Sequence, residues 1–432
     1  MADNVVVVGA GAAGLMAAGR AAELGARVML LEKMDEAGKK ILVSGKSRCN
    51  ITNTDPIELF ISHYGHNGQF LRNAFHRFFR DELLDLLRRY GVETQTERGG
   101  RVFPTSGRAA DVRDALVRYG VEHGVEIRYR ARVKQVLTDH VAVQAVDLAD
   151  GARLPAEKVV LATGGASWPA TGSTGEGYVM AQALGHTIVP LRPALVPLTV
   201  AERSLAKRLQ GLSLRNVQCI FKVRTPSGRE RPLRIPYPMP EVGEMLFTHF
   251  GVSGPLILTA SSAVVEELRA GREVVLVIDL KPGMRRDEVH ERLQNEFETH
   301  PHQRLRTLLR GWIPSSLADV LADLSPLSEG RPVHSIQSDE REAIVDLLKS
   351  FRWTITGSLP LSAAMVTAGG VSLKEVDPVS FESRKVAGLY IVGELLNLAA
   401  DTGGFNLQAA FTSGYLAGSH AAAGEWIPPD GE

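Results

Sequence analysis

The sequence predicts an α/β fold in which the two ends of the chain build one parallel-sheet domain around an inserted middle block. Three observations predict it. A continuous apolar run, Val5–Val8, leads into Gly9-Ala10-Gly11-Ala12-Ala13-Gly14 and an alanine-rich helix. Prolines at 190, 193 and 197 precede a change of hydrophobic period. After Phe351 the chain returns to strand, glycine turn and helix.

Residues 1–32 read as a βαβ unit. Val5–Val8 is apolar on both faces, as a strand covered on both sides requires. The helix runs to Leu24 and stops at Gly25, and Val28–Leu31 is a second strand ended by Glu32. A long helix is expected from Gln69 to Tyr90, with Phe75, Phe78, Phe79, Leu83, Leu86 and Leu87 on one face. Another is expected over Ala109–His123. Ile127–Val160 alternates like a β-meander, with Asp150-Gly151 as its hairpin signal, and closes on Leu161-Ala162-Thr163-Gly164-Gly165.

Beyond the prolines, Val217, Cys219, Phe221 and Val223 alternate with polar residues, the pattern of a half-solvated sheet. Val274–Leu280 is another strand. From Arg285 to Leu348 the period turns helical, with Val289, Leu293 and Phe297 spaced by four. The middle block therefore has a β part and a helical part. Leu389–Val392 is again a strand, and a helix from Asn406 closes the chain.

At 432 residues the chain exceeds what one hydrophobic core usually supports. Its 44% apolar and 23% charged residues are those of an ordinary globular protein. Forty-nine basic residues offset forty-nine acidic ones, so no net field draws it to nucleic acid or anionic lipid, and neither partner is expected. No apolar stretch approaches bilayer length. Cys49 and Cys219 fit neither a disulfide framework nor a metal site, and no metal is expected. The opening Met1-Ala2-Asp3-Asn4 lacks a cationic region, so no signal peptide and a cytoplasmic location are expected.

The glycine turn has a chemical purpose. Gly9 permits a tight turn, Gly11 leaves room for a pyrophosphate, and Gly14 lets the helix approach the strand. Ala12 and Ala13 open the helix whose N-terminal amides face the phosphates. Glu32 can accept hydrogen bonds from ribose hydroxyls, and its charge repels a 2′-phosphate, which leaves FAD or NAD. The meander ending at Thr163-Gly164-Gly165 is typical of FAD-binding domains. Gly393-Glu394 ends a strand whose acid can bind the ribitol hydroxyls. Gly404-Phe405-Asn406-Leu407 leads into a helix whose N-terminus suits the negative charge of reduced flavin. The reading is a Rossmann-like FAD-binding domain.

The stretch Lys40-Ile41-Leu42-Val43-Ser44-Gly45-Lys46-Ser47-Arg48-Cys49-Asn50-Ile51-Thr52-Asn53 resembles a signature of the BaiN-like (YhiN-type) flavoprotein family, NAD(P)/FAD-dependent oxidoreductases or aminoacetone-oxidase-type enzymes. Gly100-Arg101-Val102-Phe103-Pro104, Leu246–Pro255, Thr367–Val371 and the Gly403–Leu407 loop match in the same order. The resemblance implies an FAD-binding domain interrupted by a β-barrel domain, itself interrupted by a small helical domain. On that plan residues 1–190 and 358–432 form the FAD-binding domain. The barrel takes 191–280 with a return strand over 346–357, and the helical insertion takes 281–345. Cofactor contacts are implied at Lys33, Lys40, Ser44, Gly45, Arg48, Cys49, Asn50, Thr52 and Asn53, with a backbone contact to adenine at Val133. Two departures from the family pattern flank this site: Lys46 or Ser47 stands where glycine is usual, and Leu398-Ala399-Ala400 replaces Val-Asp-Gly.

The expected function is an FAD-dependent oxidoreductase moving hydride between flavin and a small organic substrate. A second dinucleotide-binding unit is absent, so NADH or NADPH, if used, binds only transiently. His249 is the one candidate acid or substrate holder, and a structural histidine at a strand end is the plainer reading. Cys49 is read as packing rather than chemistry. The alternatives are a flavin-dependent nucleic-acid modification enzyme, which neutral charge disfavours, and a non-enzymatic redox sensor.

Overall fold

The apolar N-terminal run forms the strand Asn4–Val8 at the middle of a five-stranded parallel sheet. Its order is Leu389–Ile391, Lys158–Leu161, Asn4–Val8, Arg27–Leu31, Glu126–Arg128. Strands from both ends of the sequence thus share one sheet, with Val159 opposite Leu389 and Val6 opposite Val159. The computed structural model describes residues 4–225, 228–327 and 330–428. The expected absence of a leader at Met1–Asp3 lies outside the described residues.

The chain divides into two compact units, Met1–Ala194 with Leu361–Glu432, and Leu195–Pro360. In the first, the helix Ala12–Glu23 packs on the last helix, Phe405–Ala423. The approach is close: a Cβ at Gly414 would lie 2.2 Å from Ala13 O, and one at Gly418 would lie 2.4 Å from Ala17 O. The meander is a three-stranded antiparallel sheet, Val133–Thr138, Val143–Leu148 and Arg153–Pro155. Ile188–Ala194 continues through the prolines as a strand because it pairs antiparallel with Val366–Val371, so the first unit extends to 194 rather than 190.

One expected helix is broken. Gly65–Leu71 is 3₁₀, Arg72–Phe75 is a single α turn, and a new helix spans Arg80–Arg89. The reason is aromatic packing. Phe75 and Phe79 both pack on Phe60, at 5.2 and 4.8 Å, while Phe78 stacks on Tyr415 at 3.9 Å. A straight helix would turn all three rings to one face. The new helix starts where Glu82 Oε2 accepts from Phe79 N at 2.9 Å.

In the second unit, six strands close into an antiparallel barrel. Ser213–Arg224, Gly243–Thr248, Gly251–Ser253, Leu198–Val200, Phe351–Ser358 and Glu273–Asp279 pair in that order, and the last pairs back to the first. Among the described residues, closure leaves the short strand Glu230–Pro232, attached to Lys222–Arg224, as the one added edge. Alternation places Val217, Cys219, Phe221 and Val223 inside, around the fully buried Trp353. Four helices, Arg286–Thr299, Leu305–Leu309, Ser315–Leu324 and Ser338–Lys349, lie between two barrel strands. The return strand begins at Phe351 rather than 346 because the last of these helices runs to Lys349.

No helix among the described residues is long and apolar enough to cross a membrane.

Candidate flavin site

Four parallel strands end at the same edge of the central sheet, and the loops that leave them carry most of the candidate residues. Val8 runs into Gly9, Leu31 into Glu32, Leu161 into Thr163, and Ile391 into Gly393-Glu394. Ligands of open α/β sheets bind at this edge.

The first loop is built tightly. A Cβ at Gly14 would lie 1.8 Å from Gly9 O, so only glycine lets helix and strand approach. A Cβ at Gly11 would meet nothing within 4 Å, which leaves open space at the N-terminus of Ala12–Glu23. Glu32 is fixed across the mouth of the turn, its Oε2 accepting from Ala10 N and its Oε1 from Met34 N, both at 2.8 Å. Val133 begins the meander strand, reached from Glu32 through Ala131, whose amide donates to Glu32 O at 2.9 Å. Lys33 Nζ donates to Thr174 Oγ1 at 2.7 Å and pairs with Glu176 at 3.2 Å.

Glu394 is the hub of a polar knot. Its Oε2 accepts from Lys40 Nζ at 2.6 Å, and its Oε1 accepts from Ser167 Oγ at 3.1 Å and Thr367 N at 2.8 Å. Lys40 Nζ also donates to Ser167 Oγ at 2.8 Å. Burial raises the pKa of Glu394, but the Lys40 ammonium, then the Thr367 amide and Ser167 hydroxyl, outweigh it and hold the group below the usual glutamate range. Both oxygens expected to meet ribitol hydroxyls already have protein donors. Thr367 opens the Thr367–Val371 match to the family, but no local spacing marks it or Ser167 as a partner of Glu394.

The Ser44–Asn53 loop is strained. Lys46, Ser47 and Cys49 all adopt left-handed φ, at 58°, 64° and 60°. This is the backbone that the glycine of the family pattern would take without cost, at about 1 kcal/mol or more per residue for others. Ser44 Oγ donates to Ile41 O at 2.7 Å. Arg48 is engaged by Glu97, at 2.6 and 3.3 Å, and lies over the Phe103 ring at 4.2 Å, so its charge is matched within the protein. Cys49 is buried, and burial pushes its thiol up to about 12, which leaves no thiolate for chemistry.

The Gly404 turn meets this loop. Gly404 has φ 101°, and a Cβ there would lie 2.5 Å from Thr52 O, so glycine is required twice over. Asn53 Nδ2 donates to Gly403 O at 3.2 Å. Asn406 bonds Ala400 through both its Oδ1 and its Nδ2, at 2.9 and 3.0 Å. Phe405 stacks on the buried His63 at 3.8 Å, and Leu407 is partly buried on the core. Gly164, Gly165 and Gly45 complete these loops.

These residues fit FAD. Besides the open space at Gly11, three buried polar atoms, Asn50 Oδ1, Thr52 Oγ1 and Thr163 Oγ1, have no hydrogen-bond partner among the described residues. A polar cofactor offers such partners. His249 lies in the second unit, exposed at the hairpin between Gly243–Thr248 and Gly251–Ser253, its ring edge-on to Phe250 at 5.0 Å.

Comparison with known proteins agrees. The model of the HI0933-like protein Rossmann domain family matches residues 3–420. A 3-dehydro-bile acid delta(4,6)-reductase of Clostridium scindens is 34% identical, covering 97% of this chain and 99% of that protein. A ribosomal RNA dihydrouridine synthase of Escherichia coli is 30% identical, covering 95% and 96%. In fold, the chain is similar to the open conformation of a flavocytochrome c3 fumarate reductase, with a TM-score of 0.51, 17% identity, and coverage of 98% of this chain and 78% of that one. The loops at the sheet edge, the orphaned polar atoms and these relatives lead to one conclusion: the chain belongs to the HI0933-like Rossmann family and is an FAD-dependent oxidoreductase.

Proposed function

We propose that this enzyme reduces a carbon–carbon double bond conjugated to a carbonyl in a small organic substrate. The carrying observation is a pair of relatives similar over nearly the whole chain whose names share one reaction type. One is a delta(4,6)-reductase of a 3-dehydro-bile acid, and the other makes dihydrouridine, which is uridine with its ring double bond saturated. FAD supplies the hydride chemistry when bound.

The chain's residues take the remaining roles. Gly9, Gly11 and Gly14 with Ala12 and Ala13 cradle the pyrophosphate, and Glu32 holds the adenosine ribose. Lys40 and Glu394 orient the ribitol end, while Asn50, Thr52 and Thr163 offer their free acceptors and hydroxyls. The N-terminus of Phe405–Ala423 stabilises negative charge near the ring. His249 is a proton donor or substrate holder. NADH or NADPH serves as a transient donor.

The test is an anaerobic titration of purified yellow enzyme with NADH and NADPH, followed by a 3-oxo-4,6-diene steroid. Loss of the conjugated-ketone absorbance supports the reading. Reduced enzyme that leaves every conjugated ketone intact overturns it.

A nucleic-acid substrate is the second reading, favoured by the E. coli relative. Forty-nine positive charges balanced by forty-nine negative ones weigh against it. Dihydrouridine formed in ribosomal RNA by the purified enzyme would decide for it.

A further inference from the structure

We propose that Trp168, with Met365 on the adjoining segment, forms the apolar wall against which the flat part of the substrate lies. The proposal rests on the reading that the substrate is a conjugated carbonyl compound.

Trp168, 40% exposed, and Met365, 47% exposed, are among the few large apolar side chains of this unit that reach the surface. The indole has no ring, cation or hydrogen-bond partner among the described residues. Both residues are tied to the polar knot through Ser167. Trp168 follows Ser167 in sequence, and Ser167 Oγ lies 3.4 Å from Met365 O as well as 3.1 Å from Glu394 Oε1. Ser167, next to Trp168 in sequence and bonded to the Met365 carbonyl, thus meets the Glu394 carboxylate, which follows the Leu389–Ile391 strand at the sheet edge that carries the candidate loops.

The backbone gives an independent reason. Trp168 has φ 54° and ψ 60°, a left-handed conformation that a bulky side chain rarely adopts. Its carbonyl accepts from Thr171 N at 2.9 Å and Thr171 Oγ1 at 2.7 Å, which locks the turn. Gly172 stands four residues on, so the chain has glycine available nearby yet carries tryptophan at the strained position. Strain held in place by its surroundings, with an aromatic ring turned outward, is the signature of a residue kept for contact. A two-ring indole face suits a rigid, flat, apolar molecule, and the flexible Met365 thioether adapts to its edge.

The experiment uses FAD-loaded wild type, Trp168→Ala, Trp168→Phe and Met365→Ala. Flavin content and thermal stability are read first, then binding of a 3-oxo-4,6-diene steroid by flavin difference spectrum, then turnover. Trp168→Ala should retain FAD and weaken steroid binding, with KM raised about 10- to 100-fold. Trp168→Phe should stay within about threefold of wild type, since an aromatic face remains. Reoxidation of the reduced variants by ferricyanide should match wild type. Unchanged steroid affinity in Trp168→Ala overturns the wall, as does loss of FAD in that variant, which would make Trp168 a cofactor contact. A wild type that binds the steroid through Trp168 without reducing it fails the proposed reaction and leaves the wall standing. A wild type that neither binds nor reduces it overturns both.

Discussion

Lys40 Nζ lies 2.6 Å from Glu394 Oε2, although 354 residues separate them in the chain. The pair ties the short helix Lys39–Val43 to the turn Gly393–Leu395, which follows the outermost strand of the central sheet. The candidate flavin site and the meeting of the chain's two ends therefore share one contact.

Removing the cation should expose that dependence. Lys40→Met leaves the Glu394 carboxylate without its ammonium and should cost about 1.5–3 kcal/mol in a urea melt. FAD retention after dialysis should fall with it. A variant of unchanged stability and flavin content would show that the pair is incidental.

Two glycines three residues apart should behave oppositely. Gly11→Val adds a side chain in open space at φ −81°, so the protein should fold but lose FAD. Gly14→Ala drives a Cβ onto Gly9 O, and the fold itself should weaken by about 1–3 kcal/mol. A yellow Gly11→Val enzyme would place the pyrophosphate elsewhere.

The first unit should lose stability in acid through His186 and Glu375. His186 Nδ1 lies 3.2 Å from Glu375 Oε2, and His186 Nε2 lies 2.9 Å from Ser383 Oγ. Burial lowers the pKa of His186, and the attraction of Glu375 offsets that only in part. The unfolded chain then takes up the proton first, so stability is full above about pH 6.5 and declines as pH falls toward the lower folded value. Glu375 adds a second step. Burial would raise it, but Lys385 and the Thr187 amide and hydroxyl bring it to about 2, so its contribution is lost between 4.5 and that value. His186→Asn should flatten the first decline in a pH series of thermal melts. An unchanged profile would remove His186 as the cause.

The barrel should melt apart from the flavin unit. Trp353 is fully buried between Phe247 and Phe351, at 5.1 and 5.2 Å, in a core separate from that of the first unit. Trp353→Ala should cost that unit about 3–5 kcal/mol. Calorimetry should show one transition lowered while flavin release stays at its original temperature. A single transition moving as a whole would refute independent folding.

His249 is tested by its amide analogue. His249→Asn keeps a hydrogen bond but cannot deliver a proton near neutral pH. It should retain FAD and lose about 10²–10⁴-fold in turnover if the imidazole is the acid. Full activity would exclude that role.

The glycine turn, Glu32 and the closing helix were legible in the sequence because each is a local pattern with a fixed spacing. The partners of Glu394 were not. Lys40, Ser167 and Thr367 come from three distant segments, and only folding brings them together. The helix break before Arg80 was hidden for a related reason. Phe75, Phe78 and Phe79 keep helical spacing, and only their separate partners, Phe60 and Tyr415, show that the backbone must turn. Alternation along Ser213–Arg224 showed which side chains face inward but not that Glu273–Asp279 would be the neighbour that closes the ring.

That ring has a consequence for biosynthesis. Phe351–Ser358 is its last strand to be made, pairing with both Leu198–Val200 and Glu273–Asp279. The central sheet waits longer still, for Leu389–Ile391. At roughly 5–20 residues per second, a ribosome holds the growing chain for tens of seconds with unpaired strand edges in both units. Neither the barrel nor the central sheet can close until these late strands emerge, so the pairing that brings Glu394 to Lys40 is among the last to form.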